Sequence, residues 1–315
     1  MKIKKLISLS LLFIAAMLWG FAFAAQGKVT RVGAFALGAA RSFLACIFLV
    51  AVILVFDKKK GDRRLFSKKG IDISRYEIVG GVICGVILAV ASAFQQIGIN
   101  SGTDSGKAAF ITALYVVLVP IYALPLGKRA PISVWLGVAV SVVGFYLLCI
   151  KENFSILPED LLVIGCALIF PIHILTIDRF SPMVDGIRMS LVQFLTAGTV
   201  NLVISLITEN PAEQISLILE CLFSVVYLGI ASSGIAYTLQ IIGQRNVNPA
   251  AASIILSLES VFGVIGAALF LGTTLSIREY VGSAIILTAV IISQLEFGKK
   301  NKNSAKTPKN HRSNP

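Results

Sequence analysis

The chain has 315 residues, 56% of them apolar and only 14% charged, with a formal charge of +12. A soluble domain needs a far more polar surface, so a water-soluble enzyme or regulatory domain is excluded. The placement of the positive charge, set out below, argues against nucleic acid as a partner.

The apolar residues fall in ten blocks, at 6–27, 32–56, 77–99, 105–126, 132–150, 159–177, 186–208, 218–242, 248–271 and 278–296. Each block has roughly the 19 to 25 residues needed to cross ~30 Å of hydrocarbon at ~1.5 Å per residue. Only helices satisfy their own backbone hydrogen bonds in lipid, and these uniformly apolar runs lack the alternation of a barrel strand. The expected fold is an all-α membrane protein of ten transmembrane helices joined by short loops.

The first block follows Lys2, Lys4 and Lys5 and contains Ala22-Phe23-Ala24, a pattern that signal peptides share. It is long enough to span, and its removal would break the repeat described below, so it is read as the first span. Trp19-Gly20 places an aromatic residue before a helix breaker in it. The second span holds Arg41, about 13 Å in from the outer face. Its open roles are binding a substrate carboxylate, pairing with backbone carbonyls or Glu259, and snorkelling outward.

In the third span, Gly81, Gly85, Ala89 and Ser92 form a small-residue lane ending at Gln96. Such lanes let helix backbones approach closely in lipid, and Gln96 is a candidate to face a cavity. The fourth span opens on Asp104 as N-cap, carries Tyr115, and is interrupted by Pro120 and Pro125. The sixth contains Phe170-Pro171, where a kink is expected, followed by His173, which can bond a carbonyl freed by the proline or relay protons. Arg188, near the inner end of the seventh, is expected to snorkel.

The eighth span repeats the small-residue lane as Gly229, Ser233 and Ala236, with Tyr237 nearby and Gln240 at its end. The ninth begins at Asn248-Pro249 and carries Glu259 about 16 Å deep, then Gly263 and Gly266. A carboxyl group near the midplane is costly and by default a functional candidate, as partner of a substrate ammonium or as proton carrier. A structural ion pair or a neutral, hydrogen-bonded carboxyl is the alternative. Trp19, Tyr115 and Tyr237 either wall a cavity or serve packing. The five cysteines, Cys46, Cys84, Cys149, Cys166 and Cys221, lie scattered in apolar blocks and read as small buried residues, with no metal site or disulfide expected.

With the N-terminus inside, alternating spans put 21 of the 28 basic residues on the inner side and five outside, leaving Arg41 and Arg188 in spans. This is the positive-inside pattern, and it predicts both termini in the cytoplasm. The basic loop 57–75 is expected to touch anionic lipid head groups rather than nucleic acid. The outer loop 209–217 has Glu209 and Glu213 and no basic residue. The tail 298–315 is rich in Lys, Asn, Ser and Pro and is expected to be disordered.

Residues 85–118 overlay on 229–262 at a constant shift of 144, so that Gln96 meets Gln240, Asp104 meets Asn248 and Tyr115 meets Glu259. The first spans match at a shift of 151, with Trp19-Gly20 on Phe170-Pro171, and the second at 152, with Arg41 on Gln193. Five helices per half is an odd number, so two halves, 1–150 and 151–297, would cross the membrane in opposite senses. That two-fold inverted repeat is the architecture of secondary transporters, with the substrate site near the midplane between the halves. Paired interruptions point to the same site, making Gly20, Pro120, Pro171 and Gly263 the candidate hinges.

These residues resemble a known family. Trp19-Gly20, Arg41 with Leu44-Ala45, and Leu258-Glu259-Ser260-Val261-Phe262 are similar to motifs of the EamA-type transporters of the drug/metabolite transporter superfamily, over about 6–296. Ser42 replaces that family's phenylalanine and Ser260 its proline, while Gly127-Lys128 and Gly272-Thr273 stand where it has Gly-Glu. The resemblance implies export of small metabolites such as amino acids through a cavity lined by spans 1, 3, 4, 6, 8 and 9.

No nucleotide-binding, zinc-ligand or nucleophile-elbow pattern is present, so the chain is expected to be a non-enzymatic carrier without cofactor or metal, driven by an ion gradient or by facilitated flux. An exporter of drugs or other amphipathic compounds is the alternative of the same architecture. A membrane-embedded enzyme or a channel is the alternative outside it. The substrate, the coupling ion and the oligomeric state have no signature in the sequence.

Overall fold

A computed structural model describes residues 2–59, 73–149, 155–271 and 276–295. Most of the basic loop 57–75 and the tail 298–315 lie outside the described residues, as do Gly272-Thr273 and the side chain of Cys149. Within the described residues the chain is entirely helical. Nine stretches are long and apolar enough to cross a membrane, and Ile132–Leu148 is a shorter apolar helix.

The elements are α1 (Lys2–Gly27), α2 (Ala34–Lys59), α3 (Arg75–Asn100), α4 (Ser105–Ala113), α5 (Tyr115–Ala123), α6 (Ile132–Cys149), α7 (Asp160–Phe180), α8 (Gly186–Thr208), α9 (Pro211–Glu220) and α10 (Leu222–Val226). A π-helical segment, Tyr227–Tyr237, leads into α11 (Thr238–Gln244). Then come α12 (Pro249–Leu256), α13 (Glu259–Leu271) and α14 (Ile277–Gln294).

Local chemistry sets the starts. Asp104 accepts from the amides of Gly106 and Lys107 to open α4, and Asn248 accepts from Ala250 with Pro249 at the first position of α12. Ser74 and Glu77 form a capping box on α3, as Ser276 and Glu279 do on α14. Each cap satisfies amides that have no partner within the helix and stabilises its helix by about 1 kcal/mol.

The interruptions differ from expectation. The fourth span breaks at Leu114 and the ninth at Ser257-Leu258, in both cases upstream of Pro120 and Gly263. Leu114 donates to Ile111 O at 3.2 Å and Leu258 to Ile255 O at 3.1 Å, so each break tightens the same way, 144 positions apart. Pro120 removes an amide donor within α5, and the ladder relaxes before it. In the ninth span Ser253 and Ser257 bond back to Ala250 O and Ile254 O, competing with the helical ladder. Pro171 sits inside α7, which continues through it.

Gly20 is a crossing point rather than a break. A Cβ there would stand 2.3 Å from Phe262 Cβ and 2.6 Å from Glu259 O, so α1 and α13 meet backbone to backbone. The small-residue lanes act alike, with Gly81 and Gly85 against Val192 and the Gln193 carbonyl on α8, and Gly229 against Leu44 on α2. In lipid, such packing replaces the hydrophobic effect as the cohesive term.

Two further expectations change. The segment read as an outer loop, 209–217, is largely the helix α9, started by Asn210 and Pro211, an N-cap and first-position pair. Arg188 does not snorkel. It is buried, with Nη2 2.8 Å from both oxygens of Asp57 on α2 and Nη1 3.4 Å from Asp185. The partner lies 131 positions away, and a paired charge is cheaper to bury than a lone one.

The helix α7 is fastened at both ends to the span formed by α4 and α5. Asp160, fully buried, takes Lys107 and the Thr103 hydroxyl, while Asp178 takes Lys128.

Candidate functional site

The breaks, the π-helical segment and α7 converge on an internal cavity. Its walls carry Trp19 and Gln26 from α1, Arg41 from α2, Ser92 and Gln95 from α3, and Thr112 and Tyr115 from either side of the Leu114 break. Phe170 of α7, Ser232 and Tyr237 of the π-helical segment, Gln240 of α11 and Glu259 of α13 also line it, with apolar contributions such as Phe23 and Leu256. Tyr115 and Glu259 are the first residues of α5 and α13, so each break delivers one polar side chain to the same space.

One side of the cavity is organised by the π-helical segment. Its wider turn leaves carbonyl groups without their usual partners. Trp19 Nε1 donates to Ser232 O at 3.0 Å, and the indole lies 4.6 Å from the Tyr237 ring, tilted by 58°. Arg41 Nε donates to Ser233 Oγ at 2.9 Å and Nη2 to Ser232 Oγ at 3.1 Å. The guanidinium is thereby aimed by two serines of the π-helical segment, and among the described residues it forms no ion pair with Glu259 or any other carboxylate.

The opposite side is a glutamine relay. Gln26 Nε2 donates at 3.1 Å to the side-chain oxygens of both Gln95 and Gln96, and Gln95 Nε2 donates to Thr112 Oγ1 at 2.9 Å. Gln95 lines the cavity. Gln96 instead turns to Asn100 at 2.8 Å and supports the relay from behind. His173 lies beneath, edge-on to Phe170 and Tyr237, with Nε2 3.1 Å from Gln193 Oε1 rather than on a carbonyl freed by Pro171.

Tyr115 Oη and the Glu259 carboxyl face each other in the cavity with no other hydrogen-bond partner for Tyr115 Oη or Glu259 Oε1, and Gln240 Oε1 has none at all. A buried polar atom without a partner costs roughly 1–3 kcal/mol, and convergence of several under-partnered groups on one space marks a place where a polar occupant is stabilised. The free volume is about 40 Å³. Water needs at least ~10–15 Å³, so water fits, while a metabolite requires the walls to part.

Of the residues singled out in the sequence, Trp19, Arg41, Tyr115, Tyr237, Gln240 and Glu259 therefore meet around one cavity, and Gln96 stands behind it. Gly20 contacts Glu259 from outside the cavity, whereas Pro120, Pro171 and Gly263 are not in its walls. Gln26, Gln95, Thr112 and Ser232 were missed. Gln95 follows Ser92 by three residues and Gln26 follows Trp19 by seven, so helical periodicity carried that signal.

Comparison with known proteins agrees with this architecture. The model of the EamA-like transporter family matches residues 6–150 and 157–294. An uncharacterized transporter of Archaeoglobus fulgidus is 27% identical over 289 residues, 90% of this chain and 84% of that protein. The uncharacterized inner membrane transporter YedA of Escherichia coli K12 is 25% identical over 214 residues, 67% of this chain and 68% of its own length. A solved crystal structure shares the fold at a TM-score of 0.73 and 17% identity, covering 91% of this chain and 96% of that one. With its apolar helices, its central polar cavity and a family match in two stretches that together span most of its length, the chain belongs to the EamA-like transporter family, as a multi-pass membrane protein.

Proposed function

We propose that this transporter is a secondary carrier that moves small metabolites, amino acids among them, by alternating access. One observation carries the reading: Tyr115 and Glu259, equivalent across the 144-residue shift, each follow a helix break and line the same cavity. Broken helices in corresponding positions of two halves are the design in which a substrate site is built at the bilayer midplane. In this reading the halves 1–150 and 151–297 are inverted five-helix units, and both termini and the basic loop 57–75 face the cytoplasm.

Arg41 and Glu259 offer opposite charges to one small space, which favours a zwitterion over the apolar surface of a drug-like compound. Arg41 takes a carboxylate and Glu259 an ammonium group or, in exchange for it, a proton. The breaks at Leu114 and Leu258 are where the walls part to admit it. Counterflow in proteoliposomes tests this with labelled amino acids and other small metabolites against the same unlabelled compound. Saturable, trans-stimulated uptake is expected. Flux that rises linearly with concentration would replace the carrier by a channel.

A further inference from the structure

A second hollow lies on the outside of the helix bundle, where the C-terminal ends of α5 and α7 meet the N-terminal part of α3. Its volume is about 740 Å³, ligand-sized by the ~300–1,000 Å³ usual for binding pockets. The wall is made by Ile83, Ile121, Leu126 and Ile172, all substantially exposed, with Phe180 closing it against α3 where Gly80 leaves room for the ring. At the helix ends the wall changes character. Arg179 is part of it and exposed, and Lys128 and Arg129 follow α5 at the same level.

This charge is in excess. Lys128 is paired with Asp178, which leaves the two arginines to set the local sign. Burial and the neighbouring Arg179 charge also pull the Lys128 ammonium below the usual lysine range, consistent with crowded cations.

We propose that this groove binds one anionic phospholipid, an acyl chain lying along Ile83, Ile121, Leu126 and Ile172 and the phosphate held by Arg179. A concavity facing hydrocarbon loses dispersion contacts unless a chain fills it. A free phosphate has no use for the apolar wall, and a zwitterionic lipid brings beside its phosphate an ammonium group that the surplus arginines repel. An arginine near a helix end reaches the head-group level, where its planar guanidinium matches phosphate in two-point fashion. The site stands on geometry and charge. In the proposed orientation the groove opens to the cytoplasmic leaflet, but the site itself does not rest on that orientation.

Native mass spectrometry of the detergent-purified protein, titrated with phosphatidylglycerol and phosphatidylcholine of identical chains, tests it. One tight phosphatidylglycerol adduct is expected, preferred by about five-fold for one basic contact. Arg179→Gln should abolish the preference and Arg179→Lys keep part of it. Ile172→Trp, which fills the groove with Arg179 intact, should lose the adduct. Arg278→Gln, a basic change at the opposite ends of the helices, should retain it. Equal binding of both lipids by the unaltered protein, or an unchanged adduct in Ile172→Trp, would overturn the proposal. A dimer that Ile172→Trp dissociates, with no lipid adduct, would assign the groove to a second copy and overturn it as well. No substrate flux is read, so failure here leaves the transport reading standing.

Discussion

A Cβ placed on Gly20 would stand 2.6 Å from the carbonyl oxygen of Glu259, so the first helix is seated directly on the break that delivers the cavity's carboxyl group. The nearest obstacles are the Phe262 Cβ and backbone atoms of α13, none of which can swing aside as a flexible side-chain tip would.

Gly20→Ala should therefore lower stability by about 1–3 kcal/mol, the usual range for forcing a methyl group into a packed site. It should also slow transport more than Gly106→Ala, where the only nearby atom is Asp104 Oδ1 at 3.1 Å. Thermal melts in detergent and counterflow rates check the pair. Equal effects at both positions would deny the crossing its role.

Glu259 is buried, starts α13, and shares the cavity with Tyr115 and Arg41. Glu259→Gln keeps the shape and removes the titration, so transport should become independent of pH from about 5.5 to about 8 while the protein inserts and melts normally. Affinity for zwitterionic or cationic substrates should fall. A variant as fast as the parent at every pH would leave Glu259 with a packing role alone.

The Arg188–Asp57 pair joins α8 to the end of α2 inside the protein. Removing one member strands a buried charge, so Arg188→Met or Asp57→Leu should each cost about 3 kcal/mol or more. The double variant should recover most of that loss. A double-mutant cycle of unfolding free energies reads the difference, and strict additivity would mean the charges are not coupled.

In the proposed orientation loop 57–75 lies in the cytoplasm and α9 outside. Cysteines introduced at 210–215 should react with an impermeant maleimide in intact cells, and those at 60–70 only after lysis. Strong labelling of 60–70 in intact cells would reverse the orientation.

Much of what depended on neighbouring residues was legible in the sequence, though the Asn210-Pro211 start of α9 looked like a loop. Asp104 and Asn248 read as caps because their targets lie two or three residues on, and the spans read as spans because apolar length is a local property. What depended on partners across the bundle was not. Arg188 looked like a surface arginine because Asp57 is 131 positions away, and His173 was given a carbonyl because Gln193 sits on another helix. The breaks were misplaced for a related reason. Proline and glycine mark where a helix is weak, but the ladder yields where hydroxyls and packing allow, at Leu114 and at Ser257-Leu258.

The two lysine–aspartate ties of α7 alter the picture of what moves. Lys107 and Lys128 belong to the first half of the chain, Asp160 and Asp178 to the second. The two ties fasten α7 to the span formed by α4 and α5 at both ends, so in the proposed cycle the seam between moving parts need not follow the seam between the two proposed halves. The Leu114 break lies between the two ties, so in the proposed cycle it bends only together with α7, whereas the Leu258 break lies outside them. In that reading the two halves of the chain and the two moving parts of the carrier are different partitions of the same molecule.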